Sequence, residues 1–194
     1  MMNVLSKVLV IGVGGTTNSG KTTLTKRLTD AIPGSSSMCQ DNYSFSKDLK
    51  DERLNSLRIP ELDCWNWEKI EALDMEKMVE DIQTKIDEHS CSVLFVEGFL
   101  VFNYEPLLSF FSKKYFLTLT QEECKRRRSL RVYNPADGPQ YFDKVVWPEY
   151  IKVLEQVKLQ PDVNFLDGEN KQDDIFNQVL EEVNQLSENM GQGV

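Results

Sequence analysis

Apolar and polar positions along the chain alternate between two periods, which predicts strands followed by helices. Continuous apolar runs such as Val8–Val13 are typical of strands that are buried on both faces. Apolar residues spaced by three and four, as along 75–86, are typical of amphipathic helices. The predicted strands are 8–13, 35–40, 92–96, 115–119 and 163–166, and the predicted helices are 21–32, 75–86 and 175–186. Strands that alternate with helices predict a parallel sheet flanked by helices, with right-handed crossovers, which is an α/β fold.

One long segment, residues 42–66, breaks this alternation because it is polar and has few periodic positions. Connections of this length in a compact domain are seldom without a function. We interpret the segment as a substrate-side insertion or a mobile loop.

The segment after the first strand has the form G-x-x-x-x-G-K-T, the pattern of a phosphate-binding loop. Gly15 and Gly20 allow a tight turn that brings backbone N–H groups against anionic oxygens, and the next helix adds the positive end of its dipole. Lys21 is expected to reach the β- and γ-phosphates, and the Thr22 hydroxyl to bind Mg²⁺. A chance turn of Gly, Thr and Ser is the alternative, but the strand before it and the helical spacing after it favour nucleoside triphosphate binding. The predicted nucleotide-binding residues are Gly15, Thr16, Thr17, Asn18, Ser19, Gly20, Lys21, Thr22 and Thr23.

Acidic side chains follow several predicted strands, and ligands of parallel sheets bind beyond the carboxyl ends of the strands. Asp41 is placed to take a proton from an acceptor hydroxyl, to hold a magnesium-bound water or, as the alternative, to cap a turn. Glu97 occupies the position of a Walker B acid, where it can orient Mg²⁺ or bind a substrate hydroxyl. A carboxylate at a buried strand end is costly without such a partner. The G-protein pattern D-x-x-G is absent at this position, which disfavours a GTPase switch.

A basic cluster, E-E-C-K-R-R-R-S-L-R, predicts an arginine-rich helix. Helical spacing places Arg127, Arg128 and Arg131 on one face, and Arg126 can pair back to Glu122. Three guanidinium groups over a phosphate loop would form a lid, since arginine binds phosphate through two donors and stays charged. A solvated charged helix or a nuclear-import patch is the alternative interpretation. The lid is predicted at about 121–145, with a turn-rich hinge at 132–139.

Composition and charge exclude several classes of protein. The 194 residues fit one domain, predicted over 1–194, with 40% hydrophobic and 27% charged residues. The net charge of −9 disfavours nucleic-acid binding, since phosphate backbones need a basic face. No stretch approaches the ~18 apolar residues of a membrane span. Four scattered cysteines and one histidine lack zinc-site spacing, so we expect reduced thiols in a cytoplasmic protein, with no membrane contact and no obligatory protein partner.

Several segments together carry a family resemblance. In chain order they are G-T-T-N-S-G-K-T-T, Q-D-N-Y, I-E-A-L-D-M-E-K-M, V-E-G-F-L-V-F-N-Y, Y-F-L-T-L-T, E-E-C-K-R-R-R-S-L-R-V-Y, Y-F-D-K-V-V-W-P and F-L-D-G. In these segments the chain closely resembles the nicotinamide riboside kinases, which belong to the uridine-kinase-like branch of P-loop kinases. The resemblance covers residues 8 to about 185, and its most specific parts are the lid and the segment around Glu97.

The resemblance implies how a kinase site would be arranged. ATP would lie on residues 15–23, with Thr22 and Asp41 at Mg²⁺ and with Asp41 as the base toward the ribose 5′-hydroxyl. The residues assigned to catalysis are Asp41, Lys21, Arg127 and Arg131, of which Arg127 and Arg131 would face ATP. The residues assigned to Mg²⁺ are Thr22, Asp41 and Glu97. The residues assigned to the nucleoside are Asp41, Asn42, Tyr43, Ser44, Trp67, Glu68, Arg128, Tyr133 and Asn134.

Trp67 and Glu68 stand where the family has Tyr or Trp followed by Asp. In the family the aromatic ring stacks on nicotinamide and the acid binds ribose hydroxyls, and Glu68 is one methylene longer than that Asp. A pyridinium ring held between Trp67 and Tyr133 would gain cation–π attraction, which an uncharged pyrimidine lacks. A buried core position for Trp67 is the alternative.

The resemblance implies ATP-dependent phosphorylation of the 5′-hydroxyl of nicotinamide riboside, a step that feeds NAD biosynthesis, with nicotinic acid riboside as a second substrate. A uridine or cytidine kinase with the same machinery stays open, and so does a catalytically silent ATP-binding interaction protein. The acidic, helical C-terminal stretch at 181–194, with its tail at about 187–194, is expected to be a frayed, solvated end, with binding of a partner as the alternative.

Overall fold

The central feature of the fold is a sheet of five parallel strands. The computed structural model describes residues 8–45, 52–133, 138 and 140–192, so Asn134 lies outside the described residues. The strands are β1 (Leu9–Gly15), β2 (Ser35–Cys39), β3 (Arg58–Ile59), β4 (Cys64–Trp65), β5 (Val93–Glu97), β6 (Lys113–Thr118) and β7 (Val163–Asp167). The helices are α1 (Lys21–Ala31), α2 (Met75–Asp87), α3 (Glu105–Leu108), α4 (Gln121–Ser129), α5 (Trp147–Lys158) and α6 (Gln172–Gln192). The main sheet has the order β2–β5–β1–β6–β7, which confirms the predicted α/β fold.

Hydrophobic cores cover both faces of the sheet, which explains the uninterrupted apolar runs of its central strands. On one face, Val10 of β1 lies in a buried cluster with Met78 of α2 and Val157 of α5. On the other face, Ile11 of β1 lies in a cluster with Leu28 of α1 and with residues of α6. Successive residues of a strand point to opposite faces, so a strand covered on both sides must be apolar at every position.

The segment 42–66 contains more regular structure than the sequence predicts. Its described part forms a three-ten turn over Glu52–Leu57 and an antiparallel hairpin of β3 and β4. The Arg58 guanidinium lies 5.2 Å from the ring centroid of Trp65, across the hairpin. The Asn66 N–H donates to the Leu57 carbonyl at 2.7 Å, which ties the end of the hairpin back to its start.

The C-terminal helix continues through the acidic tail. Residues 181–194 were expected to be helical, and α6 is helical to Gln192, the last described residue, while the frayed, solvated end stays a prediction. Leu186 packs against the core, and neither glycine nor proline follows it before Gly191. Once a helix is anchored in this way, each added residue costs little, so the helix propagates.

None of the helices within residues 8–45, 52–133 and 140–192 is both long enough and apolar enough to cross a bilayer.

The topology brings the predicted polar residues to one edge of the sheet. Gly15, Glu97 and Asp167 are the last residues of β1, β5 and β7, and parallel strands end at the same edge. β2 pairs with β5 so that Cys39 lies opposite Glu97. Asp41, two residues further on, therefore lies near Glu97 although 56 positions separate them in the sequence.

Candidate active site

The phosphate loop between β1 and α1 depends on two glycines for different reasons. Gly15 has φ +141°, and a Cβ at this position would overlap the backbone carbonyl of Leu117 on β6. Gly20 has φ +99° with open space around it, so it is required for its backbone conformation alone. Gly20 directly precedes α1, so the loop ends at the positive end of that helix.

Lys21 lies half-buried at the start of α1, and its ammonium donates to the Thr16 carbonyl at 2.8 Å. Burial lowers the pKa of Lys21, while Glu97 and Asp41 act in the opposite direction. The ammonium therefore lies close to both carboxylates. A bound triphosphate would supply further negative charge and stabilise the protonated form.

The two predicted acids meet around one hydroxyl and one thiol. Glu97 is buried, and the Thr22 hydroxyl donates to its Oε1 at 2.7 Å. Asp41 lies in a three-ten turn over Gln40–Tyr43. The pKa of Cys39 is raised to about 12 by burial and then by the charges of Glu97 and Asp41, which places both carboxylates near the same thiol.

Gln40 is a fully buried polar residue that sequence reasoning missed. Its Oε1 accepts from the Leu100 N–H at 2.9 Å, and its Nε2 donates to Met75 Sδ at 3.3 Å. The side chain fills the space above Gly98, where a Cβ would overlap it. Gln40 thus joins the turn that carries Asp41 to the loop that follows Glu97. The signal in the sequence is a single uncharged polar residue at the end of a predicted strand.

The predicted lid arginines reach the phosphate loop in the structure. Arg127 donates to the Gly168 carbonyl at 2.9 Å and to the Asn18 carbonyl at 3.4 Å. Arg128 is buried and donates to the Thr17 hydroxyl at 3.2 Å. Its guanidinium carbon lies 4.4 Å from the ring centroid of Tyr133 and 6.0 Å from that of Tyr141. Arg131 donates to Asn18 Oδ1 at 3.1 Å.

Two details of the predicted lid need correction. Arg126 pairs with Glu123 through bonds of 2.6 and 2.8 Å, and not with Glu122. Glu123 also accepts from Arg127 at 2.6 Å, so one carboxylate holds two adjacent arginines. α4 ends at Ser129, so Arg131 approaches the loop from the turn after the helix and not from a shared helical face.

A cleft of about 570 Å³ lies between the phosphate loop and the lid. Its lining contains Thr17, Asn18, Gly20, Lys21, Thr22, Thr23, Asp41, Glu68, Glu97, Phe99, Arg127, Leu130, Arg131 and Gln172. Phe99, Leu130 and Gln172 were not predicted for the site. The cleft has the cationic and carboxylate groups that a phosphoryl transfer between two bound substrates needs.

The next three residues, Asn42, Tyr43 and Ser44, follow Asp41 directly and do not line the main cleft. Asn42 and Tyr43 line a separate cleft of about 300 Å³. The Tyr43 hydroxyl donates to Asp81 of α2 at 3.0 Å, and Ser44 forms a backbone bridge with Leu73. The assignment of Asn42, Tyr43 and Ser44 to the nucleoside stays a prediction, since the bonds described for Tyr43 and Ser44 are to Asp81 and Leu73.

Trp67 and Tyr133, the predicted aromatic pair, have different partners. The backbone N–H of Trp67 donates to the Tyr141 hydroxyl at 3.2 Å, and the Trp67 ring centroid lies 6.4 Å from that of Trp65. Tyr133 packs on Arg128, and its hydroxyl accepts from Asn18 Nδ2 at 3.2 Å. A sandwich of the two rings around a pyridinium therefore stays a prediction.

The groups around Thr22 fit the ligand preferences of Mg²⁺. The ion takes oxygen ligands, keeps several waters, and is bound in kinases through few protein groups together with substrate phosphates. The Thr22 hydroxyl and the Glu97 carboxylate are in direct contact, and Asp41 lines the same cleft. Across the described residues, no three His, Cys, Asp or Glu side chains form a cluster able to hold a metal. A hydroxyl with two carboxylates suits an ion that is shared with phosphate oxygens.

Comparison with known proteins identifies the family. A family described as an AAA domain matches residues 11–148. Nicotinamide riboside kinase 1 of Rattus norvegicus is 40% identical over 193 residues, covering 92% of this chain and 95% of the rat protein. The Homo sapiens nicotinamide riboside kinase 1 is 39% identical over 192 residues, covering 91% of this chain and 92% of the human protein. This chain belongs to the nicotinamide riboside kinase family. The solved structure of a sugar kinase from Janibacter sp. HTCC2649 shares the fold with a TM-score of 0.61 and 16% identity, over 91% of this chain and 95% of that one.

This member of the nicotinamide riboside kinase family carries one further motif that sequence reasoning overlooked. Residues 170–173 read N-K-Q-D, the spacing of a guanine-recognition motif, directly after the turn that follows β7. In the structure the Asp173 carboxylate accepts from Arg27 Nη2 at 2.8 Å. Arg27 in turn stacks on Phe176 at 4.2 Å, which ties α1 to α6 beside the phosphate loop. ATP and GTP are therefore both candidate phosphate donors for the cleft.

Proposed function

We propose that the protein transfers the γ-phosphoryl group of ATP to the 5′-hydroxyl of nicotinamide riboside, and of nicotinic acid riboside as a second substrate. The observation that carries the proposal is one cleft lined by Lys21, Thr22, Asp41, Glu97, Arg127 and Arg131. Membership of the nicotinamide riboside kinase family supports the pyridine nucleoside as acceptor. The product mononucleotide would feed NAD biosynthesis.

The loop and Lys21 bind the triphosphate. The backbone N–H groups of the loop and the start of α1 face the β- and γ-phosphates, with the Lys21 ammonium beside them. Mg²⁺, held at Thr22, Asp41 and Glu97, would neutralise charge on the phosphate oxygens. These groups orient the γ-phosphorus toward the acceptor, which is how phosphoryl transfer is accelerated.

Asp41 is the general base in this proposal. Its carboxylate accepts the proton of the 5′-hydroxyl while the 5′-oxygen forms a bond to the γ-phosphorus. The bond between the γ-phosphorus and the bridging oxygen breaks in the same step, and ADP leaves with that electron pair. Arg127 and Arg131 at the rim of the cleft bind the charge that develops on the leaving phosphate.

The acceptor side of the proposal rests on other residues that line the cleft or adjoin its lining. Glu68 and Phe99 line it, and Trp67 precedes Glu68. Glu68 would accept from ribose hydroxyls, while aromatic rings would contact the pyridinium. Arg128 and Tyr133 would close the site from the lid.

We place this chemistry in the cytoplasm and in a single domain over residues 1–194. The four cysteines Cys39, Cys64, Cys91 and Cys124 form no disulfide in the structure. Free thiols are the common state in the reducing cytosol, which supports that compartment.

The test is release of ADP with Mg·ATP and nicotinamide riboside, nicotinic acid riboside, uridine or cytidine at matched concentrations. We expect turnover with the two pyridine nucleosides and little with uridine or cytidine. The same assay with GTP replacing ATP reports the donor preference. Preference for uridine would replace the proposal with a uridine kinase, and ATP binding without turnover of any acceptor would replace it with a silent ATP-binding protein.

A further inference from the structure

Asn18 of the phosphate loop has an unusual backbone and an unusual number of partners. Its φ is +59°, a left-handed conformation that Asn tolerates better than most residues with a side chain. In this conformation Oδ1 accepts from Arg131 Nη1 at 3.1 Å, while Nδ2 donates to the Tyr133 hydroxyl at 3.2 Å. The Asn18 carbonyl also accepts from Arg127 at 3.4 Å. One loop residue thus contacts three lid residues.

The neighbouring contacts attach the body of the lid to the same place. Cys124 of α4 is fully buried, and its thiol donates to the Thr17 carbonyl at 3.3 Å. Arg128 donates to the Thr17 hydroxyl, which also accepts from Asn18 Nδ2 at 3.2 Å. α4 is therefore held to the loop up to Arg128, and Asn18 holds the segment after it.

The chemistry of a carboxamide suits this position. Its oxygen accepts from a guanidinium without neutralising the positive charge, and its nitrogen supplies a donor that a carboxylate lacks. An acid here would pair with Arg131 and would also repel the phosphates that the loop binds. A neutral group that is both acceptor and donor orients Arg131 and leaves its charge available.

We propose that Asn18 is a positioning residue that holds Arg131 and Tyr133 over the phosphate loop, so that Arg131 is already placed when the triphosphate binds. The inference rests on the proposed kinase function, because Arg131 acts on the transferred phosphate there. The docking of the lid itself is independent of any substrate and can be measured without turnover.

The first experiment measures backbone hydrogen exchange of the nucleotide-free protein across residues 121–133. Asn18→Gly removes the carboxamide and keeps a residue that favours positive φ, so the loop backbone is retained. We expect faster exchange at 129–133 in Asn18→Gly, with 121–127 unchanged because Cys124 still holds α4. Asn18→Asp keeps the acceptor for Arg131, so we expect exchange at 129–133 to stay slow in that variant. Equal exchange in wild type and Asn18→Gly would overturn the proposal.

The second experiment is a double-mutant cycle on turnover with Asn18→Gly and Tyr133→Phe. Loss of one hydrogen bond of this kind lowers kcat by about 2- to 10-fold. We expect each single variant to lose kcat with little change in the KM for ATP, and the double variant to be no slower than Asn18→Gly. Losses that multiply would mean that Asn18 and Tyr133 act independently, so Asn18 would not hold Tyr133, and would overturn the proposal. Absence of turnover in the wild type would instead contradict the proposed function, while the exchange experiment would still report on the lid.

Discussion

The Thr22 hydroxyl donates a 2.7 Å hydrogen bond to Glu97 Oε1 across 75 positions of sequence. Thr22 lies in the first turn of α1 after the phosphate loop, and Glu97 ends the neighbouring strand β5, so the bond joins the nucleotide-binding element to the buried acid. The two groups are those that the sequence assigns to Mg²⁺ from separate motifs. Their contact supports one shared site for Mg²⁺. In that site the ion would replace the Thr22 hydroxyl proton as the partner of the Glu97 carboxylate.

Asp41→Asn tests the proposed base. The amide keeps the size of the side chain but cannot take the proton of the acceptor, so kcat is expected to fall by about 10²- to 10⁴-fold. ATP binding, measured by calorimetry, is expected to stay detectable because Lys21 and the loop are intact. Asp63→Asn is the matched control, since Asp63 is an exposed acid of the hairpin that pairs with Arg58. Unchanged turnover in Asp41→Asn would remove Asp41 from the role of base.

The reactivity of the Cys39 thiol depends on the charges of Glu97 and Asp41. Its pKa is raised to about 12 by burial, by Glu97 and by Asp41, so the thiol stays protonated and slow to alkylate at pH 8. Glu97→Gln removes one of these charges and lowers the pKa, and each unit of lowering gives about tenfold more thiolate below the pKa. We therefore expect iodoacetamide to label Cys39 faster in Glu97→Gln than in the wild type, as followed by peptide mass analysis.

Cys64 is the internal control for this labelling. Its pKa is raised by burial and by Asp63, neither of which changes in Glu97→Gln. The rate at Cys64 should be the same in both proteins. An unchanged rate at Cys39 would separate the thiol from the acids and contradict the described geometry.

The variants Gly15→Ala and Gly20→Ala distinguish the stability cost of backbone strain from the cost of steric overlap. Both force an alanine into positive φ, which costs about 1–2 kcal/mol. Gly15→Ala also drives a Cβ into the Leu117 carbonyl, whereas the Cβ of Gly20→Ala meets open space. Urea unfolding is expected to show a loss of about 3 kcal/mol or more for Gly15→Ala and about 1 kcal/mol for Gly20→Ala. Equal losses would mean that β6 gives way and that overlap contributes nothing.

Arg128→Ala tests the acceptor side of the lid. The guanidinium is buried between Tyr133 and Thr17, so its removal takes away a cation–π contact worth about 0.5–2 kcal/mol and frees the Tyr133 ring. We expect the KM for nicotinamide riboside to rise by about 3- to 30-fold, with a smaller change in the KM for ATP. Arg126→Ala is the control, because Arg126 is exposed and pairs with Glu123. A loss confined to ATP affinity would place Arg128 on the nucleotide side.

The strands and the phosphate loop could be predicted because their signals are local. A buried parallel strand is apolar at every position, and the loop needs glycines at fixed spacing for its backbone. The hairpin of β3 and β4 has no such signal, since each strand has two residues and is stabilised by contacts such as the 3.1 Å bond from Asn66 to Glu149. α5 was missed because Pro148 resembles a break, but proline is tolerated in the first turn of a helix, where it stands.

The parts of the site that sequence reasoning missed depend on three-dimensional neighbours. The spacing of the lid allowed Arg126 to pair with Glu122 or with Glu123, and the helix orients Glu123 to hold both Arg126 and Arg127. The contacts of Asn18 require a positive φ at this position, and the residue type alone does not predict that conformation. The sequence shows Gln40 as a polar residue at the end of a predicted strand, but its packing against Gly98 is seen only in the structure.

The position of β1 between β5 and β6 has a consequence for the chain during its synthesis. The carbonyl of Leu117 accepts from the Thr16 N–H at 3.3 Å, and Glu97 accepts from Thr22, so both supports of the loop are made long after the loop itself. A nascent chain exposes the apolar β1 without its two neighbours until residue 118 has left the ribosome. Nucleotide can stabilise the folding chain only after that point, and chaperones that bind exposed apolar strands have the whole preceding interval in which to act.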